Sequence, residues 1–241
     1  MKILGIDSSG LVAGTALLVD DVLVGEYTIH NKKTHSQTLL PMVTDLLEMA
    51  GIPVEELDAI AVARGPGSFT GLRIGAATAK GLAWTLGIPI VPVSTLVGLA
   101  CHVREDGLVC PIMDARRGQV YTALYQVKEG ENIPLLEEAA MDIQDLFQKL
   151  EEQGFREPIT FVGDGVPVFS DTIKENLKIP SRFLPAFSNY QRPALIAYLG
   201  SRYLKEGNVV KAADFLPIYL RKSQAEREAE EAKKREEDHK C

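Results

Sequence analysis

The apolar residues of the first hundred positions alternate between the two-residue period of a strand and the 3.6-residue period of a helix. The predicted elements are strands 2–6, 15–19 and 22–27, a helix from about 36 to 50, strand 58–63, a helix from 68 or 70 to 86, and strand 88–93. Gly51 follows the first helix and ends it. Pro41 lies early in that helix, so either its first turn is irregular or it begins after Ser36.

The second half of the chain shows a faint repeat of the first. Its predicted elements are strands 111–113 and 119–127, a helix 143–152, strand 159–162, helices 169–177 and 193–206, and a last ordered segment at 217–221. At an offset of 107 residues, Asp7, Thr15, Ala16 and Leu17 fall on Asp114, Thr122, Ala123 and Leu124. Two unrelated hairpins of similar composition would give the same identities, but a duplicated βββαβα lobe is the favoured interpretation.

These elements predict a division into lobes. We expect a first lobe at residues 1–104 and a second at 105–221, with the last helix of the second packing back on the first. Residues 222–241 are rich in both acids and bases and have no apolar stripe, so we expect an exposed, charged helical tail there.

The amino-acid composition excludes several classes of protein. The 241 residues are 46% hydrophobic, which excludes intrinsic disorder for the body of the chain. The net charge is −7, whereas a protein that binds nucleic acid without a partner normally carries an excess of basic residues. Cys101, Cys110 and Cys241 form neither a disulfide framework nor a metal knuckle. With no secretion signal and no stretch near the roughly 18 apolar residues of a membrane span, we expect a soluble cytoplasmic protein.

The turn Asp7-Ser8-Ser9 follows the first strand and is a weak candidate for a phosphate site. Backbone N–H groups and two hydroxyls at a tight turn can hold a phosphate, and the aspartate could orient a magnesium-bound water. An ordinary turn, in which these side chains satisfy the local backbone, explains the same residues and is favoured on the local signal.

A glycine-rich segment beginning at residue 63, ARGPGSFTGLRIGAATAKGLA, predicts a helix with a face of small residues. Gly71, Gly75 and Ala79 lie four residues apart, so another helix could approach that face closely. Packing within the same lobe is an equally good explanation. Arg73 and Phe69 add a cation and an apolar anchor, which are typical of the centre of an interface.

The residues by themselves assemble no convincing active site. The histidines are not spaced to bind a metal from one helix face, and no nucleophile elbow or phosphate-binding loop motif is present. Cys101 and His102 are adjacent, so their side chains point apart in a helix or strand.

Six strings in order resemble the bacterial TsaB (YeaZ) family: GIDSS, HSQTLLP, ARGPGSFTGLRIG, IPIVPVSTL, PIMDARRGQVYTALY and PIYLR. The resemblance covers residues 1 to about 221 and implies an α/β, actin-like/Hsp70-like (ASKHA) fold of two lobes. It also implies a non-catalytic scaffold, without a cofactor, for threonylcarbamoylation of an adenosine beside the tRNA anticodon. Such a scaffold heterodimerises with and activates TsaD, joins TsaE in a complex, meets tRNA only through that complex and forms a homodimer when alone.

The resemblance further implies which residues act in this role. Thr95 and Leu99 stand where TsaD has two metal-binding histidines, which disfavours a metal-dependent, glycoprotease-like peptidase. The residues expected at the partner interface are His35, Leu39, Leu40, Val43, Phe69, Thr70, Gly71, Leu72, Arg73, Gly75 and Ala79. Gly75→Leu is expected to fold but not to heterodimerise. An ATP-dependent phosphotransferase that uses Asp7 and Asp114 is the main alternative.

Overall fold

The computed structural model describes residues 1–30 and 34–221 as two lobes, each built on one five-stranded sheet. The elements of the first lobe are β1 (Lys2–Asp7), β2 (Ala13–Val19), β3 (Val22–Ile29), α1 (His35–Ala50), β4 (Ala59–Gly65), α2 (Phe69–Leu86), β5 (Ile90–Ser94) and α3 (Thr95–Ala100). Those that follow are β6 (Gly107–Arg116), β7 (Gln119–Lys128), β8 (Glu131–Asp142), α4 (Ile143–Glu152), β9 (Ile159–Val162), α5 (Val166–Asn176), β10 (Ser181–Phe183) and α6 (Pro193–Lys205).

The two sheets have the same strand order. The first runs β3-β2-β1-β4-β5 and the second β8-β7-β6-β9-β10, so the central strand of each is the first of its lobe. In both, the first three strands are antiparallel and the last two join in parallel. Asp7 ends β1 opposite Gly14, and Asp114 lies near the end of β6 opposite Val120. The predicted actin-like fold of two βββαβα lobes is confirmed.

The first sheet is covered on both faces. Helices α1 and α2 bury their apolar sides on one face, in a core that includes Leu4, Ile6 and Ile60. Helix α6 comes from the end of the chain and packs on the other face, against Ile3 and Ala61. The approach is close: a Cβ built on Gly200 of α6 would lie 2.3 Å from the Cβ of Ala61. The last described helix thus belongs to the core of the first lobe.

The start of helix α1 decides between the two alternatives that the sequence left open. The helix begins at His35, so Pro41 lies inside it and a start after Ser36 is excluded. Proline removes one helical hydrogen bond, but the ring of Pro41 faces solvent. The opposite side of the helix is buried in the core, and this burial holds the helix together through the proline.

Three short or irregular elements escaped the sequence patterns: β8, α3 and β10. Strand β8 is an edge strand with Pro134 within it, and all its residues are exposed or half-buried, so it shows no clear alternation. The charged tail expected at residues 222–241 lies outside the described residues. Within the described ranges, no helix is both long and apolar enough to cross a membrane.

Candidate functional site

Helix α2 carries small residues on two sides, and the side identified from the sequence faces inward. A Cβ built on Gly71 would lie 2.0 Å from the carbonyl oxygen of Ser8, and one on Gly75 would lie 2.5 Å from Ser8 Oγ. Ala79 is fully buried in the core of the first lobe. The expectation that Gly71, Gly75 and Ala79 form an open groove is therefore wrong, because the chain's own turn after β1 and its own core fill that side.

Three larger residues expected at the interface are also buried. Leu39, Val43 and Leu72 are at most 2% exposed, so they offer little surface to a partner. The structure also argues against the expectation that Gly75→Leu folds normally. A leucine side chain at that position would overlap the Ser8 hydroxyl, which is itself held by a 2.9 Å hydrogen bond to the Gly71 carbonyl oxygen.

The other five expected interface residues keep some exposed surface: His35, Leu40, Phe69, Thr70 and Arg73. The Arg73 guanidinium carbon lies 3.9 Å from the centroid of the Phe69 ring, a cation–π contact at the start of α2. Nε2 of His35 lies 3.0 Å from the carbonyl oxygen of Gly10. His35 therefore ties the start of α1 to the turn after β1, in addition to any contact with a partner.

The exposed side of α2 is a second stripe of small residues that sequence reasoning missed. Ala77 and Gly81 are exposed, four residues apart, and a Cβ built on Gly81 would meet no atom within 4 Å. Arg73 precedes them, and Trp84 follows with 72% of its surface exposed. We call Leu40 and Thr44 of α1, together with Arg73, Ala77, Gly81 and Trp84 of α2, the outer helical face.

An apolar groove lies along α1 and meets α2 at Leu82. It has a volume of about 440 Å³, and its lining includes Leu40 and Leu47 from α1 and Ile52 and Val54 from the segment that follows. Leu40, which is 51% exposed, belongs both to this groove and to the outer helical face. An exposed apolar groove has the character of a protein-binding surface.

A second cavity, of about 600 Å³, lies in the cleft between the lobes. Its walls are the turn Ser9 to Leu11, the start of α2, and the turn Asp114 to Arg116. Tyr219 and Arg221 lie at the same cleft. The turns that follow β1 and β6 thus face each other across one cavity, as the internal repeat requires.

The side chains of the turn Asp7-Ser8-Ser9 bind one another and the backbone. Oδ1 of Asp7 accepts hydrogen bonds from the backbone N–H of Ser9 at 2.9 Å and from its hydroxyl at 2.6 Å. The Ser8 hydroxyl donates to Gly71, and all three residues are buried. This is the ordinary turn that the local sequence favours, with both hydroxyls directed to protein acceptors.

The matching turn of the second lobe is built differently. Asp114 accepts hydrogen bonds from the backbone N–H of Arg116 at 2.8 Å and from its guanidinium at 3.1 Å. Arg116 and Arg117 both have positive φ, at 68° and 57°. The second-lobe turn therefore presents guanidinium groups where the first has hydroxyls.

Two buried carboxyl groups lie at the cleft floor, one from each lobe. Burial raises the pKa of Asp7 to about 6, and the neighbouring carboxyl of Asp164 also contributes to raising it. Burial likewise raises the pKa of Asp164, which accepts hydrogen bonds from the backbone N–H of Asp114 at 3.2 Å and from Nε2 of Gln191 at 3.4 Å. The Gln191 side chain lies against Gly10, so Asp164 is joined to the turn of the first lobe through Gln191.

Asp7→Asn is expected to change the pH dependence of stability. Because folding raises the pKa of Asp7 from 3.8 to about 6, the folded chain holds this proton more tightly. The free energy of unfolding contributed by Asp7 therefore falls as pH rises through this window and stays low above it. Relative to the wild type, Asp7→Asn should gain about 2 kcal/mol in free energy of unfolding between pH 4 and pH 7. Urea unfolding at several pH values measures this difference.

The matched control for that prediction is Asp45→Asn, which removes the same charge from an exposed position of α1. Its stability relative to the wild type should be nearly the same at both pH values. An equal effect of Asp7→Asn at pH 4 and pH 7 would show that ionisation of Asp7 does not oppose folding.

Thr95 and Leu99 begin and nearly end α3, and both are buried. Leu99 packs in the apolar cluster between the lobes, and neither a threonine nor a leucine side chain is a usual metal ligand. Among residues 1–30 and 34–221, no three His, Cys, Asp or Glu side chains are grouped so that they could hold a metal ion.

Comparison with known proteins places the chain in a family. A family model described as TsaD, tRNA N6-adenosine threonylcarbamoyltransferase, matches residues 23–229. The chain is 41% identical over 231 residues to the tRNA threonylcarbamoyladenosine biosynthesis protein TsaB of Bacillus subtilis, covering 94% of this chain and 96% of that protein. The protein of the same name from Escherichia coli is 33% identical, covering 93% and 96%.

Solved structures agree with these sequence relatives. YeaZ from Pseudomonas aeruginosa matches with a TM-score of 0.74 at 30% identity, covering 91% of this chain and 99% of that one. The ethanolamine utilization protein EutJ from Carboxydothermus hydrogenoformans matches with a TM-score of 0.51 at 14% identity, covering 82% and 89%, which is a likeness of fold alone. Two relatives named TsaB and a YeaZ structure thus match the chain over nearly its whole length, and the chain belongs to the TsaB (YeaZ) family.

Proposed function

We propose that this chain is a cytoplasmic, non-catalytic subunit in the synthesis of threonylcarbamoyladenosine on tRNA. In this role it heterodimerises with TsaD, activates it, joins TsaE in the complex, and meets tRNA only as part of that complex. Membership of a family whose members are named for this biosynthesis supports the pathway. The match of a TsaD family model to most of the chain supports a partner of related fold.

The observation that carries the partner role is the outer helical face. Trp84 is 72% exposed, and tryptophan is the residue most often found as an interface hot spot. Beside it, Ala77 and Gly81 leave room for a partner helix to approach the backbone of α2 closely. A partner with a matching helix pair would bury these residues and the apolar groove together.

The same face supports self-association when TsaD is absent. A two-fold dimer uses one patch on both subunits, and the small residues of one α2 can lie against those of another. We therefore expect the free chain to be a homodimer that exchanges into a heterodimer, because both assemblies bury the same surface.

The state of the nucleophilic and basic side chains supports a non-catalytic role. Burial raises the pKa of Cys110 to about 12 and also raises that of Cys101, so both are thiols at neutral pH. Burial lowers the pKa of His102 to about 4, which leaves a neutral imidazole that lines none of the main cavities of the described chain. These are the properties of packed core residues.

The cleft between the lobes keeps a phosphotransferase as the second candidate. Its volume of about 600 Å³ and the position of the Asp114 turn opposite the first-lobe turn are the features in its favour. Against it, the hydroxyls of Ser8 and Ser9 are bound to protein groups, and Asp7 is buried and shares its carboxyl oxygen with Ser9. A phosphotransferase would bind Mg-ATP tightly in the free chain.

Light scattering coupled to size-exclusion chromatography tests the proposal. The chain is measured alone, and then mixed with TsaD from the same organism. A dimer that converts into a one-to-one heterodimer is the expected result, with threonylcarbamoyl transfer to tRNA only when both chains are present. Absence of any complex, combined with tight binding of Mg-ATP by the chain alone, would overturn the proposal in favour of the phosphotransferase.

A further inference from the structure

The C-terminal strap, which we define as residues 211–221, lies along α2 and ends at the interlobe cleft. It follows Val210, which exchanges two backbone hydrogen bonds of 2.9 Å with Ile90 of β5. Ala212 and Phe215 insert into the core of the first lobe. The ammonium group of Lys80 holds the strap by donating to the carbonyl oxygens of Ala213, at 3.1 Å, and Phe215, at 3.0 Å.

The strap then contacts the backbone at the end of β4. The N–H of Ile218 donates to the carbonyl oxygen of Arg64 at 2.7 Å. A Cβ built on Gly65, which has a φ of 111°, would lie 2.4 Å from the carbonyl oxygen of Ile218. Glycine is required here both for its backbone conformation and for this close approach.

Its last residues contact both lobes. The ring of Tyr219 packs on Phe69 with centroids 4.6 Å apart, and its hydroxyl accepts from Nε of Arg73 at 3.4 Å. Two residues later, the guanidinium of Arg221 donates to the carbonyl oxygen of Ala115 on β6. Arg73 is exposed on the outer helical face, whereas Ala115 is buried in the second lobe.

We propose that residues 218–221 are a latch that couples the outer helical face to the second lobe across the mouth of the cleft. Arg73 positions Tyr219, and the short segment after Tyr219 holds Arg221 on Ala115. At the floor of the cleft, Asp164 accepts a hydrogen bond from Gln191, whose side chain lies beside Gly10 of the first lobe. Contacts at the floor and at the mouth thus both bridge the cleft, and the contact at the mouth leads to a residue on the outer helical face. This coupling is a property of the free chain and goes beyond the proposed partner role.

Through the latch, Arg73 on the outer helical face affects the turn of residues 114–119 in the second lobe. A molecule that binds the Arg73 guanidinium competes with Tyr219 for it, which loosens the latch and frees the turn of residues 114–119. A surface arginine without this connection would affect only its immediate neighbours on α2. The prediction therefore separates a latch from a merely local packing role.

Amide hydrogen exchange of the full chain tests the latch. Arg73→Ala and Arg221→Ala are each expected to speed exchange in the turn 114–119 by at least about tenfold, because local opening there becomes easier. In the double variant, exchange in this turn should be no faster than in Arg221→Ala alone, since both changes break one chain of contacts. Thr85→Ala on the exposed side of α2 and Leu216→Ala on the exposed side of the strap are the matched controls, and both should exchange as the wild type does.

Wild-type exchange in the turn 114–119 of Arg73→Ala would overturn the proposal, as would additive effects in the double variant. Thermal unfolding of each variant verifies that the chain is folded. Should Arg221→Ala fail to fold, Tyr219→Phe provides the second route. It removes only the hydroxyl that meets Arg73, and it should speed exchange in the same turn; no change there would equally overturn the latch.

Discussion

Gly81→Leu is expected to abolish the heterodimer with TsaD while leaving the chain folded. Position 81 lies on the exposed side of α2 between Ala77 and Trp84, and no atom lies within 4 Å of a Cβ built there. A leucine therefore fits without strain in the free chain, and it is a better helix former than glycine. In the complex it would project into the space that a closely packed partner helix needs.

The expected loss is at least about 100-fold in Kd, equivalent to about 3 kcal/mol. Overpacking of a well-packed interface commonly costs this much, because neither backbone can move away. Light scattering of the variant mixed with TsaD measures the complex, and thermal unfolding of the variant alone measures its fold. Gly81→Ala is the matched control, since a single methyl group adds helix propensity with little bulk.

Heterodimerisation of a folded Gly81→Leu with undiminished affinity would show that TsaD does not bind the outer helical face. The same variant also tests the free homodimer, which is expected to dissociate into monomers. A monomer that still binds TsaD would mean that the two assemblies use different surfaces.

Gly71→Ala, ten residues earlier at a buried position of the same helix, is expected to destabilise the fold itself. The new Cβ would lie 2.0 Å from the carbonyl oxygen of Ser8, a backbone atom that cannot rotate away. To relieve this contact, the start of α2 must shift from the turn after β1 and break the 2.9 Å hydrogen bond between Ser8 and Gly71. An extra carbon atom in a well-packed site usually lowers the free energy of unfolding by about 1–3 kcal/mol. The loss here should lie in the upper part of this range, because a backbone atom blocks relaxation.

The net change is an expected loss of at least about 2 kcal/mol in the free energy of unfolding, after the gain of about 1 kcal/mol in helix propensity. Gly71→Leu should not fold. Gly81→Ala is the reference, because it makes the same substitution in the same helix without the contact and should gain about 0.5–1 kcal/mol. Urea unfolding of the two alanine variants decides the matter. Equal stabilities would mean that α2 does not rest on Ser8 as described.

The architecture of the lobes could be predicted from the sequence because it depends on local patterns that occur twice. Strand and helix periods, the polar turns at Asp7 and Asp114, and the matching positions at a constant offset predict a duplicated lobe before any contact is known. Strand β8 escaped because an edge strand faces solvent with much of its surface, so burial does not impose alternation on its residues. The start of α1 was left open because Pro41 disfavours a helix locally, whereas the buried side of the helix outweighs it.

The sequence identified the helices of the candidate site but not the side of α2 that faces solvent. Helical spacing shows which residues share a side of α2, but both Gly71-Gly75-Ala79 and Ala77-Gly81 have the spacing of a small-residue stripe. Only the first stripe was identified from the sequence. Glycine was needed there for the contact with Ser8 inside the lobe, and not for a partner.

By itself, the sequence determined the family, the two-lobe fold and the pair of helices that the proposed partner role requires, because each follows from order and spacing along the chain. The tertiary structure alone decided which side of α2 faces solvent, since that depends on where the sheet lies beneath the helix. It also decided that the hydroxyls of Ser8 and Ser9 are bound within the protein, and that Arg73 and Ala115 are joined through the strap. These contacts join residues far apart in the chain, and no local pattern records such a pairing.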